Sequence, residues 1–459
     1  MKTIRQKIHL QSAGVNCICF LLTSTAYLAW TYHIIDLTEA PVADIVTLII
    51  GYLFQAVGIG LFSLMMWRRE DLAKVSVYAA LGLHMLFLVP SVLSSSFVQA
   101  AAFGCSMNLF CGWVAGYYLY RLAGGVNASR SAMTLGAGYS IAIVVTWMLS
   151  VIGEGALYHS GWILIICLVF TVLAILVIRT EQKQADKERT DEDLSENIRL
   201  PKDSDFRKFL LLTGALVLVF SIVNSCSFGF PSEDVQNGIS VEFSRMFYAA
   251  GLLIAGFIND RNRRHGAISA VVALVIPFFM LAIRGEPVSM MIFWMLSYFT
   301  FGFYSIYRII LFSDIARKKG LIPLCGFGLL IGRIGDAIGE TFCIMLTGRF
   351  LVLIVITAVL FMAAILLFFR IYQYLYQPEA KRQRSEREIF NHFSARHNLS
   401  PREREVLRFL LAEKTNREIA EELSITEGTV KYHIHNLLQK TGCRNRLELF
   451  SAFAAEQDI

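Results

Sequence analysis

Two hydrophobic patterns divide the chain. Over most of its length, apolar runs alternate with short charged loops. Each run holds about 20 residues, enough for an α-helix rising 1.5 Å per residue to cross a ~30 Å hydrocarbon layer. Twelve runs are predicted to span, near residues 12–35, 44–66, 72–94, 97–120, 131–153, 158–178, 209–229, 239–258, 267–284, 288–311, 321–346 and 350–374. Beyond Pro378 the pattern changes. Glu379–Asn398 is charged, and from Leu399 apolar residues recur at helical spacing among polar ones. Ser400–Pro401–Arg402–Glu403 and Thr415–Asn416–Arg417–Glu418 each set a hydroxyl three residues ahead of a glutamate. That is the signature of a capping box, and Pro401 occupies the first helical position. The helices they open are expected to bury Val406, Leu407, Leu410 and Leu411, then Ile419, Ala420 and Leu423. After the turn Ser424–Ile425–Thr426, with Thr426 as N-cap, a third helix puts Val430, Ile434, Leu437 and Leu438 on one side. Lys431, Tyr432, His435 and Gln439 fall on the other. The predicted fold class is all-α: a twelve-helix membrane bundle over 1–376, a partly helical linker over 377–398, and a four-helix domain over 399–459.

Composition agrees with the pattern. At 55% hydrophobic and 17% charged residues, the chain is too apolar for an ordinary soluble domain. Charge also orients the bundle, because basic residues gather in cytoplasmic loops. One set of loops carries Arg68, Arg69 and Lys74, then Arg121 and Arg130, a basic stretch over 179–208, Arg261, Arg263 and Arg264, and Arg317, Lys318 and Lys319. The other set carries Asp36, Glu39 and Asp44, nothing basic over 90–96, then Glu154, Glu233 and Asp234, Arg284 with Glu286, and Arg349. The basic loops and both termini are therefore expected to be cytoplasmic. No cleavable signal peptide is expected, since the run after Lys2, Arg5 and Lys7 is span-length. The nine cysteines are scattered without metal-ligand spacing and read as small buried hydrophobes. No metal or cofactor is expected. No nucleophile–base pair or phosphate-cradling loop points to an enzyme.

Ionisable residues inside a span each cost roughly 2.5–3.5 kcal/mol at the bilayer centre unless they face protein. Span eleven carries Arg333, Asp336 and Glu340 at i, i+3 and i+7, one helical face, with Gly328, Gly332, Gly335 and Gly339 repeating along it. Two readings stand: a polar lining for a small-molecule ligand or a protonatable switch, and an Arg333–Asp336 pair that holds the span in register. Glu340, with no obvious second cation, leans to the first. Arg308 is expected to snorkel from span ten to the interface. Glu242 and Arg245 read as a surface ion pair, and His84 as a residue satisfied by packing or one hydrogen bond.

The stretch from Leu399 to about Leu449 resembles the LuxR/GerE helix-turn-helix family of transcriptional regulators. The resemblance implies a partner, double-stranded DNA, and assigns roles by position. Lys431, Tyr432 and His435 become base readers, with Tyr432 replacing a small aliphatic residue. Thr429, Lys440 and Arg446 become phosphate contacts, and His433 is structural. The helix after Asn445, with Leu447, Leu449, Phe450 and Phe453, becomes a homodimer surface. The two six-span halves, 12–178 and 209–374, joined by a basic loop over 179–208, resemble the major facilitator superfamily. Gly256–Phe257–Ile258–Asn259–Asp260–Arg261–Asn262–Arg263–Arg264 is similar to that family's cytoplasmic loop signature, with Arg263 in place of its second glycine. The loop after span two keeps only the charge. Together these resemblances imply a bacterial inner-membrane regulator that senses an unknown small molecule and binds an operator. The alternative is a secondary transporter with a regulatory tail, against which the altered loop signature weighs.

Overall fold

The computed structural model describes residues 2–152, 157–159, 161–185, 203–230, 241–281, 287–376, 389–412 and 414–455. The chain forms two compact units, Met1–Tyr376 and Gln377–Ile459. Among the described residues all regular structure is helical and no strand occurs.

The first unit runs α1 (Lys2–Leu37), α2 (Ala40–Asp44), a π-helical stretch (Ile45–Ile50), α3 (Gly51–Arg68), α4 (Glu70–Leu93), α5 (Phe97–Gly125) and α6 (Ser131–Val151). It continues with α7 (Trp162–Ala185), α8 (Asp203–Gly229), α9 (Val241–Arg261), α10 (Arg263–Met280), α11 (Pro287–Lys319), α12 (Phe327–Met345) and α13 (Phe350–Tyr376). Among the described residues, ten segments are long and apolar enough to cross a membrane, with Ala40–Arg68 counting as one. The other two expected spans, α9 and α10, are helical and are not among these ten segments. Arg245 lies within α9, which ends on Asn259–Asp260–Arg261, and α10 opens on Arg263–Arg264–His265.

Helix packing follows the small residues. α3 lies against α5 and α12, α6 against α1 and α9, and α8 against α12 and α13. The glycines of α12 form its contact seam. A Cβ at Gly328 or Gly332 would collide with Arg308 of α11, and one at Gly335 or Gly339 would collide with Ser221 or Ser225 of α8. Close backbone approach through small residues is what holds helices together where no water is displaced. All nine cysteines are free; Cys17, Cys343 and Cys443 are half-buried and the rest are buried, as small core hydrophobes.

One end of this unit is clamped by ionic and helix-end contacts. Asp260 accepts hydrogen bonds from the backbone N–H groups of Ala132 (3.0 Å) and Met133 (2.7 Å), so it caps the start of α6. Arg263 is buried and donates to Asp314 on α11 at 2.7 Å, to the Asn259 carbonyl at 2.7 Å and to Ser131 at 3.0 Å. It also donates to the Ala128 carbonyl. Arg317 donates to the Ala123 carbonyl at 2.7 Å, tying the end of α11 to α5. The residue that departs from the loop signature, Arg263, is thus the hub of the clamp rather than a loss from it.

The seam gives a direct test. Gly335→Ala should lower the thermal midpoint of the detergent-solubilised protein by an overpacking cost of about 1–3 kcal/mol. Gly82→Ala, where an added Cβ meets nothing within 4 Å, should not lower it. Equal midpoints for the two variants would contradict the seam.

Candidate DNA interface and cavities of the first unit

In the second unit, a helix over 389–396 (α14) precedes α15 (Pro401–Leu411), α16 (Asn416–Leu423), α17 (Glu427–Thr441) and α18 (Arg446–Ala455). Both capping boxes are formed. Ser400 Oγ accepts from the Glu403 N–H and Glu403 accepts from the Ser400 N–H at 2.7 Å; Thr415 and Glu418 repeat the arrangement. Ser424 ends α16 at φ 53° and Gly442 ends α17 at φ 70°, the left-handed geometry of helix C-termini. Val406, Leu407, Leu410, Ile419, Val430, Leu437 and Leu449 make one core. Phe393 of α14 belongs to it, so packing begins upstream of Leu399.

That core fixes α17 with its polar face outward. Lys431, Tyr432 and His435 are exposed, Tyr432 at 63%, as a groove reader must be. The three residues assigned to phosphate are held within the module. Lys440 donates to Glu403 at 2.7 Å and to the Asn398 carbonyl at 3.2 Å. Arg446 donates to Asn416 Oδ1 at 2.9 Å and to the Lys414 carbonyl at 3.3 Å. The Thr429 hydroxyl lies 2.9 Å from that of Thr426, the N-cap of α17. His433 is half-buried, with its ring 5.7 Å from that of Tyr432.

The polar face of α12 is divided between two cavities. Arg333 lines one of about 180 Å³, with Tyr27, Tyr52, Tyr118, Tyr248 and Arg308. Asp336 and Glu340 line the other, of about 420 Å³, with Asp44, Ser225, Trp294 and Tyr298. Tyr52 and Phe301 belong to both walls. The π-helical stretch between α2 and α3 connects Asp44 and Tyr52, two of these residues.

Arg308 corrects the sequence expectation. It does not snorkel: it is 3% exposed and donates to both Asp336 oxygens, at 3.0 and 3.3 Å. Asp336 therefore pairs first with Arg308, while Arg333 stands 3.9 Å away with its guanidinium over the Tyr52 ring at 4.2 Å. Glu340 accepts from Ser225 at 2.7 Å. The signal for Arg308 was its depth, nine residues and so about 13 Å inward from Arg317 along α11. Arg245 also lines the first cavity, and the Glu242 side chain expected to pair with it lies outside the described residues. His84 is fully buried with neither ring nitrogen hydrogen-bonded to a described residue, so packing alone accommodates it.

Residues 397–453 match the family described as bacterial regulatory proteins, luxR family. The chain is 48% identical over 54 residues to the spore germination protein GerE of Bacillus subtilis, covering 73% of that protein. The chain belongs to the LuxR family of bacterial regulatory proteins. It is also 36% identical over 69 residues to the nitrate/nitrite response regulator protein NarL of Escherichia coli, and 43% identical over 56 residues to the transcriptional regulatory protein DesR of B. subtilis. These matches cover 29% and 28% of those proteins and 12–15% of this LuxR-family chain. The C-terminal unit is thus a LuxR-type DNA-binding domain; such domains bind double-stranded DNA and often act as dimers.

The Glu403 cap makes a pH prediction. Burial opposes ionisation of Glu403, but the hydrogen bonds from Lys440 and Ser400 outweigh it and hold its carboxyl below the usual range. The folded state then binds fewer protons than the unfolded one. Its contribution is present above the unfolded pKa near 4.3 and is lost as pH falls through the lower folded value. Glu403→Gln should cost the 377–459 domain about 1–2 kcal/mol at pH 7 and much less near pH 3, read by circular-dichroism melts. An equal loss at both pH values would contradict an ionic role.

Proposed function

We propose that the chain is a membrane-embedded, one-component transcription regulator. The first unit senses a small molecule in the bilayer, and the LuxR-type domain binds an operator from the cytoplasmic side. The observation that carries this reading is the pairing, in one chain, of a LuxR-family domain with helices of which ten, among the described residues, are long and apolar enough to span. The remaining two long helices, α9 and α10, complete a twelve-span arrangement of the facilitator type. In it α3 meets α12 and α6 meets α9 across the halves. The clamp around Asp260, Arg263 and Arg317 joins loops that share the basic, cytoplasmic side in this topology. Both termini are cytoplasmic, and the inner membrane is the site of action.

Lys431, Tyr432 and His435 read base edges from the exposed face of α17, with lysine suited to guanine O6 and N7. Lys440, Arg446 and Thr429 lie beside the phosphates and would exchange their internal partners for them. The α18 surface, with Leu447 77% exposed, pairs two copies on DNA. Within the membrane unit the polar face of α12 couples ligand to the two states of the bundle. The runner-up, a transporter with a regulatory tail, is distinguished by radiolabelled uptake of the inducing compound, which a sensor does not require.

Lys431→Ala should weaken operator binding by about 1–3 kcal/mol, leaving membrane insertion unchanged, as read by promoter occupancy in vivo. Wild-type occupancy would remove Lys431 from the readout. Glu340→Gln, which keeps size and removes charge, should move the induction midpoint in a reporter strain, about 1.4 kcal/mol giving a tenfold shift. Unaltered induction in both Glu340→Gln and Glu340→Ala would leave this side chain a structural staple.

A further inference from the structure

Charge is segregated between the two cavities along α12. Among the described residues, the lining of the smaller one includes three arginines, Arg245, Arg308 and Arg333, and no acid. The larger includes Asp44, Asp336 and Glu340 and no base. Asp336 is spent on Arg308, both of whose close contacts to a carboxylate go to it. Arg333 is left with a 3.9 Å approach to the same carboxylate and the face of Tyr52. Its Nε is buried and has no hydrogen-bond partner among the described residues. A guanidinium taken out of water costs several kcal/mol unless an anion in good geometry offsets it, so Arg333 is an incomplete ion pair facing a void.

The rest of the wall defines what could fill that void. Its hydroxyls are largely satisfied by the protein. Tyr118 and Tyr139 share a 2.7 Å hydrogen bond, Tyr248 donates to Ser305 at 3.1 Å and Tyr27 to the Thr47 carbonyl at 3.2 Å. What these side chains present to the cavity is ring surface, with Tyr139 stacked on Phe20 and Tyr248 on Phe301. A guanidinium fork binds a carboxylate in two parallel hydrogen bonds, and ring faces bind flat apolar bodies. The volume, about 180 Å³, lies below the ~300–1,000 Å³ of pockets for drug-sized ligands.

We infer that the smaller cavity binds a small aromatic carboxylate, its anionic group completing the ion pair of Arg333 and its ring lying among the tyrosines. The inference rests on the sensing role proposed above and names its ligand class. The test is thermal stabilisation of the full-length chain in lipid nanodiscs by benzoate, phenylacetate and 3-phenylpropionate, each compared with its amide and with benzylamine. At least one carboxylate should raise the midpoint saturably, while its amide binds about tenfold or more weakly and the amine does not bind. Arg333→Gln should abolish that response. Arg333→Lys, which keeps the charge and loses the fork, should weaken it about tenfold and decides the matter if the glutamine variant does not fold. No stabilisation by any of the carboxylates, equal binding of acid and amide, or unchanged binding to Arg333→Lys would overturn the inference. A promoter reporter exposed to the same compounds separates the two claims. Binding without any change in transcription overturns the sensing role and leaves the site; induction without binding overturns the site.

Discussion

An arginine buried among apolar helices needs a carboxylate, and in the first unit of this protein Arg308 has Asp336. Arg308 projects from α11 and Asp336 from α12, so the pair joins two helices at a place where both side chains are buried and an unpaired charge is costly. The guanidinium reaches its partner because Gly332 has no side chain: a Cβ there would collide with Arg308. One turn further along, Gly335 and Gly339 do the same for Ser221 and Ser225 of α8, and Ser225 in turn donates to Glu340. The glycine seam and the polar face of α12 are one construction. Small residues bring the neighbouring helices close enough for the polar groups to satisfy one another. The pair also divides the interior, with the basic, tyrosine-rich cavity on one side and the acidic one on the other.

The DNA-binding unit solves the same problem, unsatisfied polar groups, by local means. One unpaired N–H in the first turn of each of α15, α16 and α17, that of Glu403, Glu418 and Thr429, is taken up by Ser400, Thr415 and Thr426, residues that immediately precede each helix. Lys440 then ties the end of α17 to Glu403 at the start of α15, so α17 is held at both ends. The exposed Lys431, Tyr432 and His435 sit between these two attachments.

This difference explains what the sequence reveals. Capping boxes and a turn are written within four residues, so the helix-turn-helix and its outward face are legible from Ser400 to His435. The positions of the long apolar helices are legible too, because length and apolarity are local, and the glycine repeat of α12 announces a tight seam. Partner choice across helices is not. Asp336 has Arg333 three residues away at 3.9 Å but makes its close pair with Arg308, 28 residues earlier, because only the packed bundle brings that guanidinium to 3.0 Å. Arg263, a departure from a loop signature in sequence, becomes a buried hub because Asp314, Ser131 and Ala128 come to it from other helices. The smaller cavity is assembled from α1, α3, α5, α6, α9, α11 and α12, and no linear pattern marks its wall.

The most direct measurement is chromatin immunoprecipitation of the full-length, tagged chain from cross-linked cells, carried out separately on the membrane and soluble fractions and followed by sequencing. A regulator that reads DNA while anchored in the bilayer predicts discrete enriched sites recovered with the intact chain from the membrane fraction. Enrichment confined to the soluble fraction, carried by a released C-terminal fragment, or no discrete sites at all, would contradict it.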